Sequence, residues 1–75
     1  MWSQSDRVVM ERMRRVSLGR RLGRVPRISF LELSERMRIV LLGSCRRIEA
    51  ELGIPLSEVQ SGVFRRLGIE ARGRD

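Results

Sequence analysis

Leu52-Gly53-Ile54-Pro55-Leu56 is the stretch that most limits how this chain can fold, because two segments of helical character meet there. Upstream, Ile48 and Leu52 close an apolar series. Gly53 enters a left-handed C-terminal cap without steric penalty, so the first helix is predicted to stop at it. Downstream, Ser57-Glu58-Val59-Gln60 reads as a capping box, in which the Ser57 oxygen accepts from a free helix N–H and Gln60 reaches back. Val59, Val63 and Leu67 recur at i, i+4, i+8 and mark one apolar face. Ser61 and Arg65 fall on another face, with Gln60 towards its edge. The local prediction is a helix, a tight turn and a second helix within residues 46–67.

This is the layout of a helix-turn-helix, whose second helix presents polar and basic side chains to a DNA groove. Ile48, Leu52-Gly53-Ile54-Pro55-Leu56, Val59 and Val63 together resemble the helix-turn-helix of sigma-factor region 4 and of LuxR-type response regulators. Leu33-Ser34-Glu35-Arg36-Met37-Arg38-Ile39-Val40-Leu41-Leu42 is similar to the helix that precedes the motif in those families. The resemblance spans residues 33–67. It implies an all-α fold, a small helix-turn-helix domain of three to four helices, with residues 57–67 as the recognition helix. Two features depart from the pattern. Glu49 stands where a small residue is usual, and Gly43-Ser44-Cys45 is shorter than the usual connection.

Charge points the same way. The net charge is +7, and all 16 basic residues are arginine. Residues 1–30 hold eight arginines against Asp6 and Glu11, a balance of +6; residues 31–75 hold eight against seven acids, a balance of +1. A basic arm beside a near-neutral helical body suits a polyanionic partner. The absence of lysine also fits a GC-rich coding background. At 75 residues the chain makes one small domain with a modest core. Ile39-Val40-Leu41-Leu42 is the longest uninterrupted apolar run, too short to span a membrane. A single cysteine excludes an internal disulfide, and the lack of histidine argues against a mononuclear zinc site. No metal, cofactor or membrane contact is expected. Nor is an enzyme: there is no histidine for general base work, the glycines form no phosphate loop, and Cys45 lies in an apolar series as a packing residue. The expected setting is the cytoplasm of a bacterial or phage-infected cell.

In chain order, Ser5-Asp6 is the candidate cap for a first helix over 6–17, with Val9, Met13 and Val16 as its apolar line and Arg7, Arg14 and Arg15 facing away. Asp6 and Glu11 argue against a mitochondrial presequence. Residues 19–27 hold two glycines, a proline and four arginines, and read as a flexible basic arm. Its arginines Arg20, Arg21, Arg24 and Arg27 either contact phosphates or a minor groove, or are simply solvated. Ile28-Ser29-Phe30 is a short extended lead-in. Ser29-Phe30-Leu31-Glu32 is a second capping box, which would start the main helix near Phe30 and pair Glu32 with Arg36 at i, i+4. Met37, Leu41, Cys45, Ile48 and Leu52 then fit one continuous helix over 30–52; a long apolar seam of that kind would favour a homodimer. A break at Gly43-Ser44 with Ser44 as N-cap fits the family layout instead, and the resemblance favours the break. Gly68 should cap the last helix. The expected division is a basic N-terminal helix and arm (1–27), the helix-turn-helix domain (28–69) and a polar tail (70–75).

The leading functional expectation is a small DNA-binding transcriptional regulator. Glu58, Gln60, Ser61 and Arg65 would lie near base edges or phosphates, with Arg46, Arg47 and Arg66 on the backbone; Glu58 repels phosphate unless it reads a cytosine. The alternative is a phage- or mobile-element-type protein that binds RNA polymerase or another host protein through Trp2, Val9, Met10 and Met13. A second alternative is RNA binding by the arginine-rich segment; the scarcity of aromatic residues argues against a base-stacking platform.

Overall fold

Side-chain capping decides where the first two α-helices begin in a computed structural model that describes residues 1–71. Helix α1 (Gln4–Ser17) starts earlier than its sequence suggested, because Ser3 rather than Ser5-Asp6 is the N-cap. The Asp6 N–H donates to Ser3 Oγ (3.1 Å) and the Ser3 N–H donates to Asp6 Oδ2 (2.9 Å), a reciprocal box that satisfies two otherwise free donors. Residues 28–29 form a two-residue strand, β1 (Ile28–Ser29), followed by a 3-10 turn at Phe30–Glu32. Ser29 caps that turn and not the main helix, which begins later, at Glu35 with Ser34 as its N-cap. The expected Glu32–Arg36 pair is therefore not formed: Glu32 lies outside the helix, and the Arg36 guanidinium sits over the Trp2 ring at 5.5 Å.

Helix α2 (Glu35–Leu52) runs unbroken through Gly43-Ser44. The break favoured by the family resemblance is absent. Met37, Leu41 and Cys45 are buried on one side of the helix, and each holds the next turn in place. Gly43 faces outward, with nothing within 4 Å of where a Cβ would stand. A single glycine weakens a helix by about 1 kcal/mol, too little to outweigh that packing. Leu52 and Gly53 end α2 as expected, with Gly53 left-handed at φ 68°. Helix α3 (Leu56–Leu67) then starts at Pro55, whose carbonyl accepts from the Glu58 and Val59 N–H groups. The predicted Ser57 capping box does not form. Helical geometry is already under way at Leu56, so Ser57 lies inside the first turn instead of ahead of it.

Gly68 closes α3 at φ 67°, and strand β2 (Ile69–Glu70) pairs in parallel with β1, Ile28 opposite Ile69 and Ser29 opposite Glu70. The fold is thus mainly helical with a minimal parallel strand pair, and Glu70 belongs to it instead of to the tail. Of the rest of that tail, residues 72–75 lie outside the described residues. One core joins the N-terminal helix to the remainder: Val9, Ile28, Leu33, Met37, Leu41, Phe64, Leu67 and Ile69 pack together. Phe64 stacks on Phe30 at 5.3 Å between ring centres. Val63, expected on the inner face of α3, is only half-buried because Phe64 takes that place. Cys45 is buried, as its place in the apolar series predicted, and burial pushes its thiol pKa up. No helix among the described residues is long and apolar enough to cross a membrane.

Asp6 is fully buried and serves two helices at once. Besides capping α1, its Oδ1 accepts from the Ser34 N–H at the start of α2 (2.9 Å). A carboxylate is favoured there because both helix N-termini direct free N–H groups and positive dipole ends towards it. Burial alone would raise its pKa, but the hydrogen bonds from Ser34 and Ser3 outweigh that and hold it at about 2, below the usual 3.8. Its stabilising effect is complete above pH 3.8 and is lost as the pH falls through about 2. Urea titrations across that range should show wild-type stability dropping, whereas Asp6→Asn, weaker at neutral pH, should show a much flatter profile. At the other extreme, Gly43→Ala should raise stability by about 0.5–1 kcal/mol in the same titration, since the new methyl meets no neighbour.

Candidate nucleic-acid interface

The outward side of α3 is set by what its inward side buries. Val59, Phe64 and Leu67 face the core, so Ser57, Glu58, Ser61, Arg65 and Arg66 are exposed and Gln60 is half-buried. Ser57, Gln60, Ser61 and Arg65 line a groove of about 590 Å³. Arg27 closes it from the other bank, brought there by the strand register: Ile28 pairs with Ile69, and Arg27 approaches Glu70 at 3.8 Å. A shallower concavity of about 350 Å³ lies alongside, between Ser57, Glu58, Ser61, Gly62 and Arg65. Glu58 is therefore on the same exposed surface as Arg65.

The segment expected to be a flexible arm is a strap laid against the body. At its start, the Gly19 N–H donates to the Val16 carbonyl (3.0 Å) and the Arg20 N–H to the Arg15 carbonyl (2.9 Å), the paired bonds of a Schellman stop. In its middle, Leu22 packs on the core. Near its end the strap is held by Arg12. This guanidinium, only 6% exposed, donates to the Pro26 carbonyl (2.8 Å) and to the Leu67 carbonyl (2.9 Å). Burial lowers the Arg12 pKa, and the two carbonyls compensate the buried cation in part. The last turn of α3 passes so close that a Cβ on Gly68 would come within 2.9 Å of Val25 Cγ2 and 3.1 Å of an Arg12 guanidinium nitrogen.

The strap divides the predicted contact residues into groups. Arg27 joins Gln60, Ser61 and Arg65. Arg20 and Arg21 join Arg66 around a separate groove of about 440 Å³. Arg24 is exposed on the strap and lines neither groove; Arg46 and Arg47 are exposed on α2 and line none of the three concavities.

The residues proposed as a protein interface fare differently. Val9 is completely buried in the core and presents no surface. Trp2, Met10 and Met13 are half-buried and pack against that core. The apolar line of α1 is spent on intramolecular packing because a domain this small needs that helix to complete its interior. The large apolar side chains that remain exposed include Ile39 and Val40 on α2, and Leu52 and Ile54 around the turn.

Sequence reading missed Arg12 and the second role of Asp6. A signal was present: Asp6 and Arg12 each lie three residues from Val9, on the apolar stripe that also holds Met13 and Val16. Comparison with protein-family models, curated proteins and solved structures finds no match for the chain.

Arg12→Met should destabilise the fold by about 3 kcal/mol, because two charge-assisted hydrogen bonds are lost and the Leu67 carbonyl is left buried. Arg12→Lys should recover only part of that, since one ammonium lacks the fork that reaches both carbonyls. Chemical denaturation of the three proteins checks both expectations.

Proposed function

We propose that this chain is a small DNA-binding regulator of transcription in which α3 enters the major groove. The observation that carries the reading is the uncovered polar face of α3: Ser57, Gln60, Ser61 and Arg65 share one groove, with Arg27 on its opposite bank. Gln60 and Arg65 have the amide and guanidinium chemistry that reads adenine and guanine edges, and the serine hydroxyls suit base edges or phosphate. Gly53-Ile54-Pro55 between α2 and α3 is the short connection that a helix-turn-helix requires. The net charge of +7 supplies the sequence-independent attraction. Glu58 beside Arg65 favours sites where a cytosine amino group faces it.

A second reading draws on the exposed Ile39 and Val40 of α2 and Leu52 and Ile54 of the turn. A protein such as RNA polymerase would bind there, away from the residues first expected to form that interface.

Fluorescence anisotropy with a mixed duplex pool, followed by selection of the bound sequences, separates the two. On the DNA reading, Arg65→Ala lowers affinity for the selected site about tenfold or more while thermal unfolding is unchanged. Unaltered binding by that variant would sink the assignment of α3 as the reading helix. Loss of purified polymerase binding on Ile39→Asp, with no duplex binding by the wild type, would favour the second reading.

A further inference from the structure

The groove between the strap and α3 differs from its neighbours in sign. Three arginines, Arg20, Arg21 and Arg66, line it together with Val16, Leu22 and two glycines, and no acidic residue is among them. The other two concavities each contain a carboxylate, Glu70 in one and Glu58 in the other. The ion pairs among the described residues engage Arg15 and Arg27 and leave this trio out. Like charges that converge without a counter-charge raise the energy of the empty groove, and an anion seated between them lowers it.

We propose that this groove is a seat for phosphate groups, occupied by the backbone of a nucleic acid. The chemistry fits: guanidinium forks match phosphate oxygens in geometry as well as charge. The lining holds no aromatic side chain on which a base would stack, so the groove recognises the phosphate and not the nucleoside. It is also ready-made. The Schellman stop fixes the backbone at Arg20, Leu22 anchors the strap, and Arg12 holds Pro26, so little chain ordering remains for the ligand to impose.

A backbone ligand follows from the position of Arg66. It neighbours Arg65 in sequence, so the two project about 100° apart around α3. Arg65 looks into the groove shared with Arg27, and Arg66 into the groove shared with Arg20 and Arg21. A helix lying in a major groove runs between two phosphodiester strands. The seat would take one strand, with Arg65 over the base edges and Arg27 towards the other strand. That placement rests on the DNA reading above; the phosphate seat itself does not.

The test uses the full chain in two arms. In the first, duplex binding is followed across a salt series for the wild type, Arg20→Gln/Arg66→Gln and Arg7→Gln/Arg14→Gln, the last pair removing equal charge from the exposed side of α1. The seat predicts that the first double variant reduces the slope of log affinity against log salt by about 2, equally for selected and unselected sequences, and that the α1 variant changes it far less. Equal effects of the two variants would overturn the seat in favour of general attraction. In the second arm, inorganic phosphate is titrated while the arginine Nε–H resonances are observed by NMR. Selective shifts at Arg20, Arg21 and Arg66 support the seat; uniform shifts across the arginines, or none, overturn it. Selective phosphate shifts in a chain that binds no duplex would keep the seat, reject the nucleic-acid backbone as its occupant and reject the DNA reading of α3.

Discussion

Arg12 reaches from the middle of α1 to the carbonyls of Pro26 and Leu67, and the arrangement of the surface depends on that reach. One carbonyl belongs to the strap and the other to the last turn of α3. A lone buried cation is strongly disfavoured, so the guanidinium accepts burial only with partners in place, and the partners are then fixed relative to each other. This is why the strap lies beside α3. The two grooves that hold Arg27 and Arg20 both follow from it.

Asp6 performs the complementary task at the opposite end of the helices. It is an acceptor for donors at the starts of α1 and α2, while Arg12 is a donor for acceptors at the end of α3 and in the strap. Both are buried charges on α1, and each is satisfied by backbone instead of by the other. Backbone groups at helix ends have no partners inside their own helix. A small, mainly helical domain with little apolar interior can use such groups to set the angles between elements, which apolar packing alone leaves loosely defined.

Much of the helical framework was legible locally. Gly53 and Gly68 marked helix ends, Met37, Leu41 and Cys45 marked a buried stripe, and Val59 and Leu67 an inner face. These depend on residues a few positions apart. The misreadings arose where two local signals competed or where the decisive partner was distant. Ser57 has the sequence of a cap, but Pro55 starts the helix ahead of it. Gly43 looks like a break, but the packing of its own helix on the core decides otherwise. Val9 looked available for a partner because periodicity shows that a face is apolar without showing what covers it. In the candidate site, the exposed polar face of α3 was readable from its spacing. The convergence of Arg27 with Arg65, and of Arg20 and Arg21 with Arg66, was not, because it depends on a two-residue strand pairing and on a guanidinium far away in sequence.

The pairing of Ile28 with Ile69 has a kinetic side as well. Everything between these residues, including α2 and α3, must be made and brought back before the pair can close. Contacts of such long sequence separation form late, since the loop-closure entropy is met before any bond rewards it. During synthesis the turn between α2 and α3 can assemble from neighbouring residues while the N-terminal third waits for the last strand to emerge. Until then the arginines of the strap belong to an unlatched chain, and the basic clusters exist only once the final residues of the fold have arrived.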